Sequence, residues 1–241
     1  MMNLAGKTAI VTGSGSGLGR ALAIALTTAG CNTVCVDINA SGLEETAKMA
    51  EGLPGSVAII TADVTDAEQV DLVMKEALDS FGRLDFLINN AGTDFTLPVS
   101  ELTIEQWDRV ISVNLRAPFV FSKAAMAIMR QQGGGHIVNI SSTAGKRAWA
   151  NASAYHASKW GLIGLTRAVG VEGRPYNIRA TLVVPGGMQT AFFDRLEEKP
   201  DPRNLQDPGA VAQAILNVLS MPEGSVVQEL IVTPLTETSW P

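Results

Sequence analysis

The sequence predicts one α/β domain built on a doubly wound parallel sheet with helices on both faces. Three observations carry this. Apolar, β-branched runs alternate with amphipathic stretches through most of the chain. Those runs are nearly continuous, as in strands covered on both faces. The chain has 241 residues, 46% hydrophobic and 17% charged, which suits one large core and excludes a disordered chain.

The elements follow in order. Strand Thr8–Val11 leads into a helix over Leu18–Ala29, and strand Thr33–Asp37 into a helix over Gly42–Glu51. Strand Val57–Thr61 precedes the amphipathic stretch Ala67–Phe81, and strand Phe86–Asn89 precedes one long helix over Ile104–Gln131. Strand His136–Ser141 precedes a helix over Ala154–Glu172, strand Arg179–Val184 a helix over Pro208–Leu219, and Leu230–Thr233 is the last strand. Strand–helix–strand repetition with right-handed crossovers places ligands at the carboxyl ends of the strands. No linker rich in Gly, Pro or Ser divides the chain. Its least regular segment, 186–207, carries Pro200 and Pro202; a loop this long is functional or mobile, and it is expected to be a substrate lid.

The formal net charge of −6 and the scattered Lys and Arg argue against nucleic acid or an anionic membrane as partner. No apolar run approaches the ~18 residues that span a bilayer, and the N-terminus shows no secretory signal. The two cysteines, Cys31 and Cys35, would lie ~13 Å apart along a strand, too far for a disulfide. Free thiols point to a reducing compartment, the cytoplasm. With no further ligand cluster beside them, no metal site is expected.

The first strand runs into Thr12-Gly13-Ser14-Gly15-Ser16-Gly17-Leu18-Gly19. Such a loop lets backbone N–H groups approach a pyrophosphate at a helix N-terminus. The Gly-x-Gly-x-x-Gly frame does not fit; Thr-Gly-x-x-x-Gly-x-Gly does, and a Walker loop is excluded because no Gly-Lys-Ser/Thr follows. Asp37 ends the second strand eighteen residues after Gly19. It would bind both adenosine ribose hydroxyls and repel a 2′-phosphate, so NAD(H) is preferred over NADP(H); the alternative is a helix cap. Asp63-Val64 and Asn89-Asn90-Ala91-Gly92 end the third and fourth strands.

Tyr155 and Lys159 stand four apart in a helical stretch and share a face. A tyrosine with a reference pKa of about 10 is a poor acid–base group, and a neighbouring cation favours its phenolate. Ser142 follows the fifth strand, thirteen residues before Tyr155, and a hydroxyl there can hydrogen-bond a substrate oxygen; Ser141 is adjacent on the opposite face and is not set apart from it by this argument. Asn114 lies in the long helix with Pro118 four residues on. The missing N–H frees a carbonyl to hold a water, or simply kinks the helix. A Ser-His-Asp hydrolase is unsupported, since no Gly-x-Ser-x-Gly elbow exists.

Taken in order, these motifs, with Ile140-Ser141-Ser142 and Pro185-Gly186-x-x-x-Thr190, resemble the short-chain dehydrogenase/reductase family. The resemblance implies a Rossmann fold with seven strands and a catalytic tetrad of Asn114, Ser142, Tyr155 and Lys159. It implies cofactor contacts from Gly13, Ser16, Gly17, Leu18, Gly19, Asp37 and Ile38. Further contacts come from Asp63, Val64, Asn90, Ala91, Gly92, Tyr155, Lys159, Pro185, Gly186, Met188 and Thr190. It also implies a homotetramer or homodimer. The tail departs from the family, ending in Trp240-Pro241 without the common Asp-Gly-Gly turn.

The substrate is expected to be a medium-sized ketone or secondary alcohol with some polarity, near Asp94, Ser142, Trp149 and Phe192, with Arg147, Met188 and Phe193 nearby. Two other readings are a 3-oxoacyl-thioester reductase using NADPH, which Asp37 opposes, and a non-catalytic NAD-binding regulator, which would not need Tyr155 and Lys159 together.

Overall fold

The computed structural model describes residues 3–195 and 200–237. The Trp240-Pro241 tail and the middle of the expected lid lie outside them. Seven strands form one parallel sheet: β1 (Thr8–Thr12), β2 (Asn32–Asp37), β3 (Val57–Thr61), β4 (Phe86–Asn89), β5 (Gly135–Ile140), β6 (Ile178–Pro185) and β7 (Glu229–Val232). Their order is β3-β2-β1-β4-β5-β6-β7. The order reverses between β1 and β4, which opens a crevice at their carboxyl ends.

The helices are α1 (Gly17–Thr28), α2 (Ala40–Met49), α3 (Ala67–Phe81), α4 (Ile104–Ile111), α5 (Ala117–Gln132), α6 (Ser153–Gly173) and α7 (Pro208–Leu219). Successive strand residues face opposite sides of the sheet. Ile10, Leu87 and Ile137 pack with Phe121 and Met129, while Val11, Ile88 and Val138 pack with Leu22, Leu26 and Ile215. The central strands β1, β4 and β5 are therefore buried on both faces and mostly apolar. Local chemistry sets the helix starts. Asp66 accepts from the N–H groups of Glu68 and Gln69 at the head of α3, and Thr103 and Gln106 form a capping box at α4.

The expected single helix over Ile104–Gln131 does not run unbroken. Residues Ser112–Arg116 form a π turn, and the Ala117 N–H bonds the Ser112 carbonyl five residues back. Pro118 sits in the first turn of α5, where its missing N–H goes unneeded. The change of pitch is more than the plain kink the proline suggests. Cys31 precedes β2 rather than lying on it, and both cysteines are buried and free. No helix among the described residues is long and apolar enough to cross a membrane.

The expected lid contains two short 3-10 turns, Ala191–Arg195 and Pro202–Asn204. Its neck is tied where Met188 bridges Gln206; Gln189 N–H donates to the Gln206 carbonyl at 2.9 Å, and Gln206 N–H to the Gly187 carbonyl at 3.0 Å.

Candidate active site

A cleft of about 680 Å³ opens at the carboxyl ends of the strands. A larger hollow, about 830 Å³, lies around Lys7, Arg83 and Arg179 at the amino ends, away from every residue of the expected site. Chemistry, not size, singles out the first.

The glycine loop forms one wall. Gly13 has φ +68°, and a Cβ on it would lie 2.8 Å from the Ala91 Cα. Asn90 pins this loop through Nδ2, which donates to the carbonyls of Thr12 (2.9 Å) and Gly13 (3.2 Å). The Thr12 hydroxyl in turn accepts from the N–H groups of Asn90 and Ala91, each at 3.0 Å. Gly19 does not line the cleft. A Cβ there would stand 2.0 Å from the Gly13 carbonyl oxygen and 2.6 Å from Asn90 Nδ2. Gly→Ala in a helix ordinarily stabilises by about 1 kcal/mol. Gly19→Ala is expected to destabilise instead, by about 2–3 kcal/mol, with a lowered urea midpoint. An unchanged midpoint would refute this close-packing account.

Asp37 lies on the cleft wall. Its Oδ2 accepts from Gly15 N–H and its Oδ1 from Asn39 N–H, both at 2.9 Å. The cap of α2 is Asn39, not Asp37. Ile38 flanks it and is largely exposed. Asp63 and Val64 line the next stretch. Arg109 Nη1 sits 3.0 Å from Asp63 Oδ2; although burial opposes it, hydrogen bonds from Thr65 and this guanidinium hold the Asp63 carboxyl below its usual range.

At the far end stand Ser142, Tyr155 and Lys159, with Pro185, Gly186, Met188 and Thr190 opposite. Ser141 and Ser142 part company: Ser141 donates its hydroxyl to the Lys159 carbonyl (3.2 Å), and Ser142 accepts from Ala144 N–H (3.1 Å). The Ser142 O–H is thereby left to donate toward the cleft. The Tyr155 ring stands 5.7 Å, centroid to centroid, from that of Phe192. The Lys159 ammonium lies 5.5 Å from the Tyr155 ring centre and donates to the Ile140 carbonyl at 2.9 Å.

Lys159 is only 4% exposed. Burial pushes its ammonium down to about 8 from 10.5, while the Asp94 carboxylate pulls it upward. The folded value lies below the unfolded one, so the unfolded chain binds more protons between pH 8 and 10.5, and stability rises with pH across that window. At pH 7 the buried charge opposes folding. Lys159→Met is expected to raise stability at pH 7 by about 1–3 kcal/mol and to flatten its rise toward pH 10, read by urea unfolding. A variant less stable than the parent at pH 7 would contradict this.

Asn114 is fully buried and does not line the cleft. Its Oδ1 accepts from Thr93 N–H (2.8 Å), and its Nδ2 donates to the Thr93 carbonyl (2.9 Å) and the Ser158 hydroxyl (3.1 Å). The π turn is thus tied to the chain after β4 and to α6. A Cβ on Gly92 would lie 3.6 Å from Asn114 Oδ1 and 3.7 Å from Lys159 Nζ, so the two flank one point.

Of the expected substrate residues, Trp149 and Phe192 line the cleft, whereas Asp94 is 7% exposed and does not line it, although its carboxylate acts on Lys159. The clamp on Thr93 turns the chain there. Sequence reading also missed Arg109 and Glu237, both on the cleft wall, and His156. The His156 Nδ1 lies 2.9 Å from the Ala144 carbonyl, and its Nε2 accepts from Trp149 N–H at 3.0 Å.

Comparison with known proteins agrees with this geometry. The family model described as short chain dehydrogenase matches residues 7–201. Levodione reductase of Leifsonia aquatica is 38% identical over 82% of this chain and 75% of its own. A 3-oxoacyl-(acyl-carrier-protein) reductase of Thermotoga maritima is 34% identical over 95% of this chain and 97% of its own. The crystal structure of a metagenomic short-chain oxidoreductase in complex with NADP superposes with a TM-score of 0.85 at 30% identity, covering 96% of this chain and 99% of that one. The chain belongs to the short-chain dehydrogenase/reductase family, oxidoreductases that act with NAD or NADP.

Proposed function

We propose that this protein is an NAD(H)-dependent oxidoreductase that interconverts a secondary alcohol and a ketone, with Tyr155 as the acid–base group. The observation that carries it is the buried Lys159 ammonium 5.5 Å from the Tyr155 ring centre at the cleft floor. Its charge favours the phenolate. Tyr155 Oη exchanges a proton with the substrate oxygen, and the Ser142 O–H donates to that same oxygen. Lys159 keeps two further N–H groups for the ribose. Asn114 holds Thr93 in place, and a water beside it passes protons to Lys159. The hydride would be supplied or accepted by a nicotinamide cofactor held along this cleft.

The cradle suits a dinucleotide, since the Gly13 and Gly19 positions leave no room for a Cβ. NAD(H) over NADP(H) rests on Asp37 and on Arg20. The Arg20 guanidinium already donates to the carbonyls of Gly15 and Gly42 and to the side chains of Thr46 and Glu45. It is not available to a 2′-phosphate. The segment 186–207 is read as a lid, with Phe192 against Tyr155 and Phe193 against Phe192. Buried free thiols support a cytoplasmic setting. Exposed Phe119 on α5 and Trp160 on α6 support a homodimer or homotetramer.

The near full-length likeness to the Thermotoga maritima enzyme favours one second reading, an NADPH-linked 3-oxoacyl-thioester reductase. One assay tests both: NADH or NADPH formation across secondary alcohols, polyols, hydroxyacyl thioesters and sterols. Turnover of a secondary alcohol with NAD supports the first reading. Turnover of thioesters alone with NADP replaces it by the second.

A further inference from the structure

Beyond β7 the chain turns back over the mouth of the cleft. Gln206 Nε2 donates to the Val232 carbonyl at 2.8 Å, and the Thr236 hydroxyl donates to the Arg203 carbonyl at 3.3 Å. A Cβ on Gly186 would stand 2.8 Å from the Pro234 ring, so this turn is closely seated. Glu237 then reaches the cleft wall, and its Oε1 lies 3.6 Å from Arg147 Nη2. Both side chains are largely shielded, at 30% exposure for Arg147 and 16% for Glu237.

Arg147 is held from the other side as well. Its guanidinium lies 5.4 Å from the Trp149 ring centre, and Trp149 packs edge-on against His156 with centroids 4.4 Å apart. His156 fixes the Trp149 backbone and is the neighbour of Tyr155 on α6. The cation is therefore placed relative to the acid–base group by a packed side-chain chain, while its counter-charge arrives from the C-terminal segment.

We propose that the Arg147–Glu237 pair makes the substrate end of the cleft select uncharged ketones and alcohols over anionic ones. Without Glu237, a guanidinium on the wall near Tyr155 would attract a substrate carboxylate. With it, the guanidinium is countered, and an incoming carboxylate meets a second negative charge at the same place, which disfavours it. The pair thus deepens the ketone–alcohol reading, on which it rests, by naming the charge class of the substrate. Glu237 would act here on specificity, through its charge beside Arg147.

Two ketones differing in charge at one position test this: 4-methylcyclohexanone and 4-oxocyclohexanecarboxylate, each reduced with NADH at pH 7. The parent protein is expected to favour the neutral ketone. Glu237→Gln is expected to raise the anionic-to-neutral ratio of kcat/KM by about tenfold, chiefly through KM, and adding Arg147→Gln is expected to erase the gain. Improved use of a substrate is not a result that misfolding produces, and an NADH titration of each variant checks that the cleft is intact. A ratio within twofold of the parent's, or a parent that prefers the anionic ketone, overturns the proposal alone. A parent that binds NADH yet reduces neither ketone overturns the ketone reading and the proposal together.

Discussion

Tyr155→Phe is expected to lower kcat by about a thousandfold while leaving NADH affinity within about twofold of the parent's. The substitution removes one oxygen. The ring stays, and with it the packing against Phe192 at 5.7 Å and the contact with Lys159. Acid–base catalysis by a positioned group contributes roughly 10²–10⁴-fold, and the upper part of that range applies when no neighbour can substitute. None of the nearby groups is placed to do so. Ser142 is a donor whose own pKa is far too high, and the Lys159 ammonium is directed to the Ile140 carbonyl. His156 is engaged at both ring nitrogens by the backbone of Ala144 and Trp149. Single-turnover hydride transfer and fluorescence titration with NADH separate the two quantities. A loss under tenfold in kcat would remove Tyr155 from the acid–base role, and a parallel loss of NADH binding would make its role structural.

The strands are legible in the sequence because the sheet is covered on both faces. Ile10 and Val11 must both be apolar, since one packs toward α3 and α5 and the other toward α1 and α7. The glycine loop is legible for a similar reason. Gly19 sits where any side chain would strike the Gly13 carbonyl, so the spacing of glycines reports a contact directly. Tyr155 and Lys159 are legible as a pair because helical periodicity alone puts them on one face.

What escapes sequence reading is set by distant parts of the chain. The π turn at Ser112–Arg116 adds one residue to a helical turn, which barely disturbs the apolar period, and Pro118 marks the place without revealing the pitch. Arg109 looks like a solvated helix charge, and its partner Asp63 lies 46 residues away. Glu237 meets Arg147 only because the C-terminal segment folds back across the cleft. Asp94 shows the same dependence from the other side. Its position two residues after Gly92 points to the cleft, yet Asn114 grips the intervening Thr93 by both N–H and carbonyl, and the carboxylate is buried off the wall. In each case a tertiary contact, not a local pattern, decides where the side chain goes.

On the proposed reading cofactor choice turns on one carboxylate, and reversing it is expected to require two substitutions. Asp37→Ser alone should weaken NADH by about tenfold or more, because charge-assisted hydrogen bonds to the two ribose hydroxyls are each worth roughly 1.5–3 kcal/mol. It should also bring NADPH within reach by removing a repulsion. Two unit charges about 4 Å apart interact by about 4 kcal/mol at an effective dielectric constant near 20, and salt and solvent at the open cleft reduce this further. Relief of repulsion is not attraction, however. The nearest guanidinium, Arg20, stays committed to the glycine loop and α2. Ile38 is 61% exposed on the cleft wall beside Asp37, so Ile38→Arg places a new cation where a 2′-phosphate would sit without disturbing the core. The double variant is expected to move the NADPH-to-NADH ratio of kcat/KM by about a thousandfold or more. Asp37→Ser alone should supply the larger part of the NADH loss, and Ile38→Arg most of the NADPH gain. Comparing kcat/KM for both cofactors in all four proteins separates these contributions. If the parent already prefers NADPH, or if Asp37→Ser shifts the ratio less than fivefold, the carboxylate does not set cofactor choice, and its bonds to Gly15 and Asn39 are its whole role.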